Sequence, residues 1–202
     1  MVPQKAEISE ETTFYVVRHG QTDWNVQNIV QGHHDIPLNN VGRSESLSLS
    51  QTLMQTRFSA CFSSDLKRAF ETAQIVVQNR PLEIKSYPRL RERYFGPLWQ
   101  GRPFAEYLQS PQELRQDVES ETQVKSRVLA SFLDMVTHHP GSPILVVTHG
   151  GVLRLLLGHI LALDFTQHEM STQNNCVAKI VFTQDSWKVH ELKGIELKKK
   201  EP

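Results

Sequence analysis

Tyr15-Val16-Val17-Arg18-His19-Gly20 and Leu145-Val146-Val147-Thr148-His149-Gly150-Gly151 decide the fold. Each is a short apolar run without polar alternation, and each stops at a histidine followed by glycine. Runs of this kind suit strands of a parallel sheet buried on both faces. A third run, Ser59-Ala60-Cys61-Phe62, stops at Ser63-Ser64-Asp65. Helical spacing lies between them. Leu66, Ala69, Phe70, Ala73 and Val77 recur at three and four residues over 66–78. Val124, Val128, Phe132 and Val136 recur at four over 122–137. Ser120-Glu121-Thr122-Gln123 fits a capping box at the start of that second helix. Residues 150–161 are apolar nearly all round, as in a buried helix. The alternation predicts an α/β protein, a three-layer α/β/α arrangement with a mostly parallel central sheet. Residues 176–182 and 187–192 read as two strands joined across Thr183-Gln184-Asp185-Ser186, which predicts an antiparallel edge strand.

The chain has 202 residues, with 22 Lys+Arg against 22 Asp+Glu. This length predicts one domain over 12–193 with a short insertion at about 97–120. Residues 1–11 read as a flexible tail and 194–202 as a charged, solvated one. Balanced charge argues against a general nucleic-acid binder. The start lacks the apolar core of a signal peptide. The most apolar stretch, 152–163, is broken by Arg154 and His159 and is too short to span a bilayer. Cys61 and Cys176 are too few for a disulfide framework and read as buried, reduced thiols. The expectation is a cytoplasmic protein with no membrane or nucleic-acid partner. The edge near Trp187 is a candidate for pairing in a homodimer.

Ligands of open α/β sheets bind beyond the carboxyl ends of the strands. His19 and His149 therefore converge on one crevice. The third strand is followed by a helix with Arg68 in its first turn, which faces the same end. Arg18, His19, Arg68 and His149 make a cationic cluster that suits a phosphate, whose oxygens guanidinium groups bind in pairs. Gly150 opens a helix whose N–H groups can face an anion.

Five ordered blocks carry a family resemblance. They are Arg18-His19-Gly20-Gln21-Thr22-Asp23-Trp24-Asn25, then Gln31-Gly32-His33-His34-Asp35-Ile36-Pro37-Leu38-Asn39-Asn40-Val41-Gly42, then Ser63-Ser64-Asp65-Leu66-Lys67-Arg68-Ala69. The last two are Leu90-Arg91-Glu92-Arg93-Tyr94-Phe95-Gly96 and Thr148-His149-Gly150-Gly151. Together they resemble the histidine phosphatase superfamily, the phosphoglycerate-mutase-like proteins. The resemblance implies that His19 is a nucleophile that becomes phosphohistidine. It implies that Arg18, Arg68 and His149 surround the phosphoryl oxygens and that Glu92 is the general acid and base. Thr22, Asn25, Gln31 and Gly32 match positions lining the pocket. The scheme calls for no metal and no cofactor. Pro97-Leu98-Trp99 makes the loop after Glu92 one residue longer than in common members.

Each residue also has a plainer reading. Glu92 can pair with Arg91 or Arg93. His33-His34 either touch substrate or are exposed, and His138-His139 suit a helix C-terminus. Trp24, Trp99 and Trp187 suit packing, and Arg93, Arg102 and Arg115 either reach a second anionic group or, by default, form a solvated surface. Only 56 residues lie between Glu92 and His149. The resemblance is thus to small phosphatase-type members, which lack the long mutase segment with paired arginines. The reading is a phosphomonoester hydrolase acting on a small phosphorylated metabolite. A phosphoglycerate mutase and a non-catalytic phosphate-binding scaffold are the alternatives.

Overall fold

The computed structural model describes residues 11–183 and 186–200. In chain order the elements are β1 (Thr12–Arg18), α1 (Asp23–Val26), α2 (Asn40–Thr52), β2 (Ala60–Ser63), α3 (Lys67–Val77) and β3 (Ile84–Ser86). A 3-10 turn at Pro88–Leu90 leads into α4 (Gly96–Trp99) and α5 (Phe104–Gln109), and a second follows at Gln112–Arg115. The chain then forms α6 (Glu121–His138), β4 (Ile144–Thr148), α7 (Gly150–Ile160), β5 (His168–Thr183) and β6 (Ser186–Lys199). The sheet order is β3-β2-β4-β1-β5-β6. The first four strands in that order pair in parallel, while β5 and β6 run antiparallel.

The three apolar runs are central strands because both their faces are covered. Phe14, Val16, Phe62, Ile144 and Val146 pack with Val128, Phe132, Met135, Leu153 and Leu156 of α6 and α7. Val17, Cys61, Leu145 and Val147 point the other way, onto Leu49 of α2 and Ala69, Ala73 and Val76 of α3. Alternate side chains along a strand point to opposite faces, so a strand buried on both sides reads as a continuous apolar run. The capping box forms: the Ser120 side chain accepts from the Gln123 N–H, and the Gln123 side chain accepts from the Ser120 N–H. Both cysteines are free and buried.

The antiparallel edge is the expected hairpin of two strands, β5 and β6. Two of its expected bounds need correction. β5 begins eight residues before the predicted start, at His168 rather than 176. The charged tail expected from 194 instead continues β6 to Lys199, pairing Met170 with Leu197 and His168 with Lys199. Ile195 is buried there, while the charges stand outward, with Lys198 beside Glu196 at 3.1 Å. A run of exposed charges on an edge strand has the composition of a tail. The expected tail over 1–10, the turn at 184–185 and residues 201–202 lie outside the described residues. No described helix is long and apolar enough to cross a membrane.

Candidate active site

Register places the two histidines side by side. β1 and β4 are parallel neighbours with Arg18 opposite Thr148, so His19 and His149 leave the sheet together. The His19 N–H donates to the Thr148 carbonyl at 2.9 Å, and the imidazole rings lie 5.1 Å apart between centroids. β2 lies on the other side of β4 and ends at Ser63, just before Ser64, after which α3 carries Arg68. Arg68 is fully buried. It donates from Nη1 to the His34 carbonyl and from Nη2 to the Gly32 carbonyl, both at 2.8 Å. Arg18 donates from Nη1 to the Thr172 carbonyl.

Several buried polar atoms are left over. Arg18 Nε, Arg68 Nε, His149 Nδ1 and the Gln31 side-chain oxygen have no hydrogen-bond partner among the described residues. Buried polar atoms are normally paired, and an orphaned charged donor is costly. Two guanidinium N–H groups and an imidazole nitrogen beside His19 make a ready cradle for phosphate oxygens.

The hydrogen bonds also select the state of each imidazole. His19 Nδ1 lies 2.7 Å from the Gly20 carbonyl, which only an N–H can satisfy. The proton is thereby held on Nδ1, and Nε2 carries a lone pair. Burial, and then the charges of Arg68 and Arg18, hold His19 well below the usual imidazole range. Burial, Arg68 and His19 do the same to His149, whose Nε2 meets Ser64 Oγ at 2.9 Å. Arg68 is brought down to about 10 by burial, so it stays charged at neutral pH.

Glu92 is not an ion-pair partner of Arg91, which pairs with Asp65 at 2.7 Å from Nε, nor of the Arg93 side chain, which donates from Nε to the Glu119 carbonyl at 2.6 Å. Its carboxylate instead accepts two backbone N–H bonds, from Gly151 at 3.0 Å and from Arg93 at 2.8 Å. Gly151 lies in the first turn of α7, so the carboxylate caps the N-terminal end of that helix.

The other sequence-predicted pocket residues divide by what they touch. Gly150 lies against Arg18, and a Cβ there would stand 3.2 Å from Nε. Gly32 adopts φ 50° and turns its carbonyl onto Arg68. Gln31 is buried with its oxygen unpartnered. Thr22 and Asn25 cap α1 reciprocally at 3.1 Å, which occupies the Thr22 hydroxyl within the backbone. His33 contacts the Glu92 carbonyl at 2.9 Å and the Tyr94 ring, and His34 lies against Trp24.

Sequence reasoning missed Ser64 as the His149 partner and missed Asn174 and Asn175. The latter sit where the β5–β6 register shifts, with Asn175 at φ 54°. Asn174 Nδ2 donates to the His19 carbonyl at 3.0 Å. Two asparagines before an apolar strand were a visible signal of such an irregularity. It also missed Glu119 and Arg127, for which no local pattern exists.

This fold and this pair of strand-end histidines define a histidine phosphatase. The profile of the histidine phosphatase superfamily (branch 1) matches residues 14–194, and the chain belongs to that family. It is 28% identical over 181 residues to the uncharacterised phosphatase PhoE of Bacillus subtilis, covering 89% of this chain and 93% of that one. It is 33% identical over 162 residues to a metal-independent phosphoserine phosphatase of Arabidopsis thaliana, covering 73% and 68%. Other relatives are named as phosphoglycerate mutases or mutase-like proteins. Among solved structures, Bacillus stearothermophilus YhfR superposes with a TM-score of 0.80 at 32% identity, covering 88% of this chain and 95% of that one.

Proposed function

We propose that this protein hydrolyses small phosphomonoesters through a phosphohistidine at His19, without a metal. The observation that carries the reading is the set of unpartnered buried nitrogens on Arg18, Arg68 and His149 around an imidazole whose Nε2 is free. His19 Nε2 attacks phosphorus in line, the new N–P bond forms and the P–O bond to the leaving group breaks. The arginines and His149 hold the three equatorial oxygens, where positioned positive charge stabilises the transition state most. The Glu92 carboxyl gives its proton to the departing alkoxide. As carboxylate it then takes a proton from water, which attacks phosphorus and releases phosphate and His19. The family's relatives include a phosphatase named as metal-independent, and here guanidinium groups supply the positive charge.

Hydrolysis is favoured over phosphoryl transfer between substrate positions by the state of Arg91, Arg115 and Arg127. A mutase must hold a second anionic group. Arg91 is bound to Asp65, Arg127 to Glu119, and Arg115 to the Tyr107, Leu108 and Ser110 carbonyls. The insertion is instead closed on itself by Trp99, Tyr107 and Val30, with Phe95 and Val118 against them. The test is turnover of p-nitrophenyl phosphate with EDTA present, wild type against His19→Ala. Wild-type hydrolysis and loss of turnover in the variant are expected. Failure of the wild type on a panel of phosphomonoesters overturns hydrolysis. Interconversion of 3- and 2-phosphoglycerate, stimulated by 2,3-bisphosphoglycerate, would establish the mutase instead.

A further inference from the structure

Arg127 projects from α6 and places its guanidinium under the loop that carries Glu92. Its five contacts match the five N–H donors of an arginine. Nη1 donates to the Arg89 and Arg91 carbonyls, both at 2.7 Å, and Nη2 donates to the Glu92 carbonyl at 3.1 Å. Nε and Nη2 then bind both oxygens of Glu119, at 2.7 and 2.9 Å. Glu119 holds the far side of the same loop. Its carboxylate accepts from the Tyr94 N–H at 3.1 Å, its N–H donates to the Tyr94 carbonyl at 2.8 Å, and its carbonyl accepts from Arg93 Nε at 2.6 Å.

The held backbone includes residue 92 itself and the residue after it. The Arg93 N–H is one of the two donors to the Glu92 carboxylate, and the other comes from Gly151. Fixing this loop therefore fixes both the acid and one of its two hydrogen-bond donors. Arg127 and Glu119 lie 35 and 25 residues along the chain from the loop residues Glu92 and Tyr94 that they hold, and the pair has a bidentate geometry, which constrains orientation as well as distance. Burial alone would raise the Glu119 carboxyl, but the bonds from Arg127 and the Tyr94 N–H bring it below the usual range, so it stays charged.

We propose that Arg127 and Glu119 are a positioning pair that sets the Glu92 carboxyl for proton transfer to the leaving group. The inference rests on Glu92 being the general acid. An acid matters most where the leaving group is poor, so the readout is a comparison of phenyl phosphate with p-nitrophenyl phosphate, which differ little in shape. Arg127→Met and Glu119→Gln are expected to lower kcat/KM on phenyl phosphate about 10- to 100-fold, the size of effect that a misplacement near 1 Å produces. On p-nitrophenyl phosphate the loss in kcat/KM is expected to stay within about 3-fold, because a good leaving group needs little of the acid's contribution. The ratio kcat/KM ends at departure of the leaving group and so excludes the later water step, in which Glu92 acts as base; adding Glu92→Gln should cost nothing beyond Glu92→Gln alone.

Circular dichroism and thermal unfolding report whether each variant is folded. Arg127→Lys, which keeps the charge but loses the fork, carries the same comparison if Arg127→Met does not fold. Equal losses on the two substrates in folded variants, or losses that multiply with Glu92→Gln, overturn the proposal. Glu92→Gln alone separates the two levels. If it changes kcat/KM on both substrates alike, the acid reading fails and takes the positioning role with it. If it discriminates between them and the Arg127 and Glu119 variants do not, only the positioning role fails.

Discussion

Gly151→Ala tests the placement of the acid with one methyl group. Gly151 is the second residue of α7 and does not need a positive φ, so alanine suits its backbone. A Cβ built there would lie 3.1 Å from Glu92 Cδ and nearer still to Oε1. Unstrained contacts between such atoms lie near 3.5 Å, so the carboxylate must retreat by roughly 1 Å. It sits at the end of a flexible side chain, so the fold can accommodate the shift. The gain in helix propensity over glycine, at most ~1 kcal/mol, offsets the cost. Thermal stability is therefore expected to hold within a few degrees, since ~1 kcal/mol moves Tm by about 2–4 °C in a domain of this size. Catalysis is expected to suffer. A displacement near 1 Å is worth about 100-fold, or ~2.7 kcal/mol of barrier. The loss should fall on kcat/KM for phenyl phosphate and spare kcat/KM for p-nitrophenyl phosphate, both measured by phosphate release. Wild-type turnover of phenyl phosphate by folded Gly151→Ala would refute the assignment of this carboxyl as the acid.

Two further outcomes follow from burial. His19 and His149 are held neutral well below the usual imidazole range, while in the unfolded chain they take up protons near pH 6.5. The native state then binds fewer protons, so stability is full above about pH 6.5 and is lost as pH falls below it, by at most ~1.4 kcal/mol per pH unit for each group. Urea unfolding at intervals from pH 8 to pH 5 should show this decline, and His149→Asn should have a shallower one; a flat wild-type profile contradicts it. Phe132→Ala removes a fully buried ring that lies 4.9 Å from Phe14 and 6.0 Å from Trp187. It should cost ~3–5 kcal/mol in the same assay, and a loss under ~1 kcal/mol would contradict the packing described.

The sheet and its strand-end histidines were legible because their signal is local. A buried parallel strand must be apolar at every position, and the sequence changes character abruptly at Arg18-His19-Gly20 and at Thr148-His149-Gly150. What escaped notice depends on partners distant in sequence. Residues 44–50 alternate serine with Glu, Leu and Leu, a pattern of period two, yet they form part of α2. Ser46 is buried there because Gly20 approaches it closely: a Cβ on Gly20 would stand 2.9 Å from the Ser46 hydroxyl. A larger residue at position 46 would not fit, so the helix lacks the apolar stripe that marks α3 and α6. Lys198 and Lys199 look like a tail for the reason that they suit an edge strand, since charge discourages further pairing. Arg127 and Glu119 are ordinary surface-type residues in any sequence window; only the folded chain shows that Arg127 faces three loop carbonyls, and Glu119 the Tyr94 N–H, rather than solvent.

The balance of charge in the site then has a physical reading. Four residues that accept protons converge on one buried cleft, and four positive charges there would repel one another at low dielectric. The structure resolves this by dividing the roles. Arg18 and Arg68 remain cationic because even a lowered guanidinium pKa stays far above neutrality. Their fields, added to burial, keep both imidazoles neutral. Two fixed charges match the two negative charges of a phosphomonoester dianion. The same field that makes the cleft attract phosphate also keeps the lone pair on His19 Nε2, aimed by the Gly20 carbonyl on the opposite side of the ring. Binding and nucleophilicity therefore depend on the same two arginines. Replacing Arg68 with an uncharged residue should weaken substrate binding and, through the loss of its field, raise the His19 pKa, so that the nucleophile becomes protonated at a higher pH than in the wild type.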